Sequence, residues 1–192
     1  MDDQEKIISE ANKYVMPAVE DYLAARCLLL NNIFVGLTIA HEAVEKLIKA
    51  ILILENIKFQ KLHNLEKLAD LLPKKNSEKY KFLSDQKDFI KRLDQHYGWR
   101  YYDGDIAKRS QSKSPEDLNP FDVLWIALYE QYTEFIPKEF QYRTYLYAHL
   151  FDENLKECTN WGEILKENNI ALQGKLDLWE AEYKKIFSKN TK

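Results

Sequence analysis

The sequence predicts an all-α protein built as an antiparallel helical bundle. Glycine and proline are scarce, with five of each in 192 residues. No stretch alternates apolar and polar residues as a strand would, whereas apolar residues recur three and four apart along most of the chain. The prolines fall where those helical patterns start or stop. The length suits one domain with an extension and is enough to bury a core without cross-links. With 45% hydrophobic and 31% charged residues, the composition is that of a soluble globular chain, not a disordered one. A net charge of −3 gives no bulk electrostatic argument for nucleic acid or an anionic membrane.

The first helical pattern covers residues 5–30, with Val15, Ala18, Val19, Tyr22, Leu23, Leu29 and Leu30 on its apolar side. Pro17 lies inside it and predicts a break, with Pro17 near the first turn of the packed helix. Asn31-Asn32 predicts a tight turn. A second helix over about 33–55 follows, and the short link makes the pair an antiparallel hairpin. His63-Asn-Leu-Glu66 predicts a helix start with His63 in a capping role, and Pro73 an end near Leu72. Asn76-Ser77 can cap a long fourth helix reaching about Tyr102. Residues 103–118 read as the longest loop, with one turn at Ser114-Pro-Glu-Asp117. Asn119-Pro120-Phe121-Asp122 has a capping residue, a proline at the first helical position and an acid in the first turn, so a fifth helix is expected from there to about Phe135. Pro137 breaks the chain again. The aromatic-rich segment from Phe140 to Phe151 is expected to be helical. Asn160-Trp-Gly-Glu163 is a further cap. A last helix over 171–187 would pack through Leu172, Leu176, Leu178, Trp179, Tyr183 and Ile186. The chain divides into a bundle over 1–137 and a C-terminal helical extension over 138–192 packed on the same domain.

The second helix carries the chief question of the sequence. Leu37, Ala40, Val44, Leu47, Ile51 and Leu54 form one packing seam, with Gly36, Ala43 and Ala50 every seven residues beside it. At 100° per residue, Glu42, Glu45, Lys46 and Lys49 share one narrow stripe at its waist. Glu42–Lys46 and Glu45–Lys49 are i,i+4 pairs in the favourable order. The stripe is either a solvated, self-neutralising window or a groove in which Lys46 and Lys49 receive an anion. His41 falls on the seam and reads as a half-buried, satisfied histidine.

The segment AARCLLLNNIFVGLTIAHEAVEKLIKAILILEN resembles the helical hairpin of the HEPN family, the "higher eukaryotes and prokaryotes nucleotide-binding" domains. Ala-Val-Glu45-Lys46-Leu-Ile-Lys49-Ala is similar to the centre of its second helix. His63-Asn-Leu-Glu-Lys-Leu is similar to the following His and short Leu-rich helix. Leu93-Asp94-Gln-His-Tyr97-Gly-Trp-Arg100-Tyr101 resembles the Leu-Asp…Tyr…Arg-Tyr signature of one branch, except that Tyr102-Asp103 stands where Pro-Asp is usual. The resemblance covers about 20–135. It implies the bundle fold and a homodimer. It also implies a nucleotide- or RNA-binding role, with Lys46, Lys49 and Arg100 on phosphate and Tyr97 or Tyr101 on a base, beside a nucleotidyltransferase partner or within a defence or toxin–antitoxin pair. The Arg-Tyr branch generally lacks the family's ribonuclease motif, an Arg and a His separated by four to six residues.

Two Arg/His pairs bear on catalysis. Cleavage of RNA through its 2′-OH needs a proton acceptor and a cation for the phosphate. Arg143 and His149 have the motif spacing but lie beyond the resemblance. Arg92 and His96 are one residue short of it. With four His in the chain such spacings also arise by chance. The remaining readings are a metal-independent endoribonuclease and a purely structural dimerising bundle that binds another protein. No metal-ligand spacing, glycine-rich phosphate loop or nucleophile elbow occurs, so no cofactor is expected. Cys27 and Cys158 read as free thiols in a reducing compartment. The acidic start is unlike a signal peptide, and the apolar run 47–54 is too short to span a bilayer, so the cytoplasm is the expected location.

Overall fold

In the computed structural model the described residues are 3–60, 62–98, 114–141, 144–152, 154–155 and 159–188, and all regular structure among them is helical. The helices are α1 (Asp3–Leu30), α2 (Gly36–Leu54), α3 (Leu65–Ala69), α4 (Leu71–Lys75), α5 (Lys81–Asp85), α6 (Lys87–Gly98), α7 (Ser114–Thr133), α8 (Lys138–Gln141), α9 (Tyr145–Phe151), α10 (Trp161–Lys166) and α11 (Leu176–Ser188). The all-α expectation holds.

The α1–α2 hairpin is the most extensively packed pair of elements. Its turn follows from Asn32, which sits at φ 57° and closes α1 with Asn32 N–H on Leu29 O and Ile33 N–H on Leu28 O. Asparagine tolerates this left-handed geometry better than any residue but glycine. Asn56, at φ 54°, ends α2 in the same way. A Cβ on Gly36 would meet the Leu29 side chain at 3.0 Å, so Gly36 marks a close crossing. The seam residues Leu37, Ala40, Val44, Leu47 and Ile51 are all buried.

Several boundaries differ from expectation. The helix runs unbroken through Pro17. A proline leaves the carbonyl four residues back unbonded, and here that residue is the exposed Lys13, whose carbonyl water can satisfy. Pro73 is inside α4 and does not end it. It is the third residue of that helix, within the first turn, where no intrahelical N–H bond is lost. The single long helix expected from residue 76 is two, because Gln86, after the weak helix formers Ser84 and Asp85, sits at φ −99°, ψ 13°. Helix α7 begins at Ser114 and runs through Pro120, so Ser-Pro-Glu-Asp, and not Asn119-Pro120, opens it with Glu116 and Asp117 in its first turn. Residues 99–113, including most of the expected long loop, lie outside the described residues. Asn160 precedes α10 but makes no side-chain cap bond. The last helix starts at Leu176, after a turn with Gly174 at φ 80°, and Leu178 points to solvent at 63% exposure.

A buried polar network joins the C-terminal helices to the hairpin. Arg26 on α1 and Asp122 on α7 are fully buried and form an ion pair. The Tyr22 hydroxyl donates to Asp122 at 2.8 Å, and its ring stacks on Trp125 at 4.0 Å. Arg26 Nε donates to Ile164 O at 3.0 Å and Nη2 donates to Glu167 O, so one guanidinium caps the C-terminal end of α10. Asn169 Nδ2 donates to Tyr22 Oη at 2.9 Å and to Leu165 O at 2.9 Å. Burial raises the Asp122 carboxyl against the pull of Arg26 and the Tyr22 hydroxyl. Removing one partner strands the other charge in the core. Arg26→Ala is expected to lose about 3–5 kcal/mol in urea unfolding, while the double variant Arg26→Met/Asp122→Leu loses less. A single variant no worse than the double would contradict this account of the network.

Candidate functional site

The charges at the waist of α2 divide into two groups. Lys46 forms an ion pair with Asp21 of α1, and its Nζ lies 3.9 Å from Glu42 Oε2. Burial raises the Asp21 carboxyl, while the hydrogen bond and charge of Lys46 draw it back. Lys49 turns the other way and donates to Glu45 Oε1 at 2.6 Å. Glu45 and Lys49 are buried, at 6% and 8% exposure, so this half of the stripe is not a solvated window.

It is covered by the segment that leads into α3. His63 does not cap that helix. Asn64 does, accepting from Lys67 N–H at 2.8 Å. The His63 ring reaches back across the sequence, and its Nδ1–H faces both oxygens of Glu45, at 3.1 and 3.3 Å. Its side chain is 68% exposed. His41 is fully buried, not half-buried as its place in the sequence suggested. Its Nε2–H donates to Asp94 Oδ1 at 2.9 Å, and its Nδ1 lies 3.8 Å from Glu45 Oε2. Tyr97 stacks on His41 with ring centres 4.1 Å apart and planes 19° from parallel, and lies 6.0 Å from the His63 ring.

Asp94 holds this assembly together. Besides the His41 bond, its carboxylate accepts Leu65 N–H at 2.8 Å and Glu66 N–H at 2.9 Å, the free amides that open α3. Burial pushes the carboxyl's pKa up, but the His41 bond and the Glu66 and Leu65 amides outweigh that, and the carboxyl sits below its ordinary range. One side chain of α6 thus joins α2 to the N-terminus of α3 and fixes where His63 can sit. Sequence reasoning placed Asp94 in a motif without giving it a role, and read neither the His63–Glu45 contact nor the His41–Tyr97 stack.

The expected site residues are distributed as follows. Lys49 and Tyr97 belong to this cluster. Lys46 is on the Asp21 side. Arg100 and Tyr101 lie just past α6, outside the described residues, as does Arg143. His149 is 4% exposed, with Tyr145 and Trp161 ring centres each 4.3 Å away and no hydrogen bond to either ring nitrogen among the described residues. Burial lowers its basicity, with Glu20 opposing weakly. Arg92 donates to the buried Asp117 at 3.0 Å, and His96 is 3% exposed and packs on Phe34 with ring centres 5.0 Å apart. Neither histidine presents a surface to an RNA backbone. Two clefts among the described residues lie elsewhere, one lined by Glu66, Asp70, Pro73 and Lys87, the other by Lys6, Ile7, Ile53 and Lys58. Among the described residues no group could hold a metal ion, and no helix is long and apolar enough to cross a membrane.

A helical hairpin with a charged waist, closed by a short third helix that a carboxylate of the next long helix anchors, is a class of bundle. The HEPN domain family model matches residues 6–117, more than half of the chain. The chain belongs to the HEPN domain family. No curated protein and no solved structure matches it. The matched residues run from α1 to the first turn of α7. They include Arg92 and His96 and exclude Arg143 and His149.

Burial first, and then the nearby Arg92 charge, push His96 down to about 4. An unfolded histidine takes its proton near 6.5. Between these values the unfolded chain binds a proton that the folded chain refuses, so this group's contribution is intact above about 6.5 and is lost as pH falls toward about 4. Asp117, raised by burial to about 6, acts oppositely: its contribution is present below the unfolded value near 3.8 and is lost as pH rises through about 6. The His96 ring resonances are expected to titrate near pH 4 by NMR. A midpoint between 6 and 7 would contradict the buried, uncharged ring.

Proposed function

We propose that the chain is a nucleotide- or RNA-binding module, without ribonuclease chemistry at His149 or His96, and that its site is the cluster of Glu45, Lys49, His63, Tyr97, His41 and Asp94. The observation that carries this is the aromatic pile of His41 and Tyr97 beside the buried Glu45–Lys49 pair, with the exposed His63 ring on the solvent side of Glu45. An aromatic face anchored from behind is what a base stacks on. Family membership supports a nucleotide-related role in general. Charge balance shifts the weight from phosphate to base. Among the described residues Lys49 pairs with Glu45, and Lys46 pairs with Asp21 beside Glu42, so each lysine already has a carboxylate partner. Phosphate contact then falls to Arg100, with Tyr101 beside it. The family resemblance also suggests a homodimer acting beside a nucleotidyltransferase, in a defence or toxin–antitoxin pair, and this rests on resemblance.

The test is a thermal-shift screen against mono- and dinucleotides and short RNA. A ligand at about a hundred times its Kd adds about 2.7 kcal/mol, a rise of about 5–10 °C for a chain of this size. The wild type and His149→Ala are expected to show the shift and Tyr97→Leu to lose it. No shift with any ligand in the wild type would overturn the reading and leave a protein-binding bundle.

A further inference from the structure

Glu45 is the most enclosed carboxylate of the cluster, with two donors on it and the His41 ring behind it. Lys49 reaches Oε1 along the helix at 2.6 Å, His41 Nδ1 stands 3.8 Å from Oε2 inside the core, and His63 Nδ1 straddles both oxygens at 3.1 and 3.3 Å from the solvent side. The first two belong to α2 itself. The third belongs to the segment before α3, and its ring is the exposed member of the group. A ligand that moves His63 aside meets the two adjacent Glu45 oxygens where the His63 ring stood, 6.0 Å from the Tyr97 ring.

Three properties of that place select the ligand. It is flat and aromatic on one side, so the ligand is planar. Among the described residues it carries two carboxylates, Glu45 and Asp94, against the Lys49 ammonium, so the group that meets Glu45 is not an anion. Its acceptors come as an adjacent pair, so the ligand edge must carry two adjacent N–H donors. Among the nucleobases, guanine alone presents a ring N1–H next to an exocyclic N2 amine. Adenine and cytosine offer a donor beside an acceptor, and uracil a donor between two acceptors.

We propose that Glu45 reads the Watson–Crick edge of guanine, accepting N1–H and N2–H in place of His63 while Tyr97 stacks on the base. His63 is then a displaceable cover that occupies the same acceptors in the empty site. The inference rests on the nucleotide-site reading above and deepens it by naming the base and the residue that selects it.

Nucleosides isolate the base from the phosphate. Titration calorimetry with guanosine, inosine, adenosine, cytidine and uridine is expected to show guanosine binding tightest, with inosine, which lacks the N2 amine, weaker by at least about five-fold. Guanosine 5′-monophosphate should bind at least as tightly as guanosine, the difference being what Arg100 adds on the phosphate. His63→Ala, at an exposed position, should bind guanosine more tightly than the wild type, and Glu45→Gln should lose the preference for guanosine over inosine. Should Glu45→Gln fail to fold, His63→Ala and the inosine comparison decide alone. Equal binding of all five nucleosides, or weaker guanosine binding by His63→Ala, would overturn the guanine assignment while leaving the nucleotide site standing. Absence of binding by every nucleoside and nucleotide would overturn both.

Discussion

The Asp94 carboxylate is the constraint on which the site depends. It accepts N–H bonds from His41, Leu65 and Glu66, and so from two elements that are distant in sequence. Each bond to a charged acceptor is worth about 1.5–3 kcal/mol. The Leu65 and Glu66 amides would otherwise be unpaired at the opening of a five-residue helix too short to stand by itself. Asp94 therefore makes α3 possible where it is, and by fixing α3 it fixes the approach of His63 to Glu45. The same carboxylate orients the His41 ring, which in turn supports Tyr97 from behind. Cap, stack and cover share one anchor.

The Arg26–Asp122 pair does comparable work for the other side of the bundle. A fully buried ion pair is not a strong source of stability by itself, because both charges have lost water. Its value here lies in where the remaining donors go. The guanidinium reaches the carbonyls that end α10, and Tyr22 and Asn169 continue the network into residues 165–172. The segment that follows the family-matched residues is thus tied to α1 through specific polar bonds, while the Tyr147–Trp179 and Phe151–Tyr183 ring contacts join its own helices α9 and α11. The site on the α3 side of α2 and the docking of the C-terminal helices on α1 use separate sets of charges.

The hairpin was legible because it rests on local signals. Apolar spacing, the Asn-Asn turn and the row of small residues all act within a few positions. Helix boundaries were less legible where a proline sat in the pattern. Pro17, Pro73 and Pro120 each remain inside a helix, since what decides is whether an N–H or a distant carbonyl goes unsatisfied, and that depends on solvent and position in the turn. The charged stripe of α2 was visible, but its division was not. Lys46 and Lys49 lie on the same stripe of a helical wheel, yet one meets Asp21 and the other Glu45, and only the placement of α1 and α3 separates them. His63 is eighteen residues from Glu45, and Asp94 lies further along still, so no local pattern joins them. Arg26 could have been noticed as a charge among Tyr22, Leu23, Leu29 and Leu30 on an otherwise apolar side, a spacing that signals a buried partner.

The most direct test of the account is a crystal structure of the protein with guanosine 5′-monophosphate. The account predicts the base stacked on Tyr97, its N1–H and N2–H on the two oxygens of Glu45, His63 turned away, and Asp94 still capping α3. A nucleotide bound away from Tyr97, or a site in which His63 keeps its place on Glu45 with the ligand present, would contradict it.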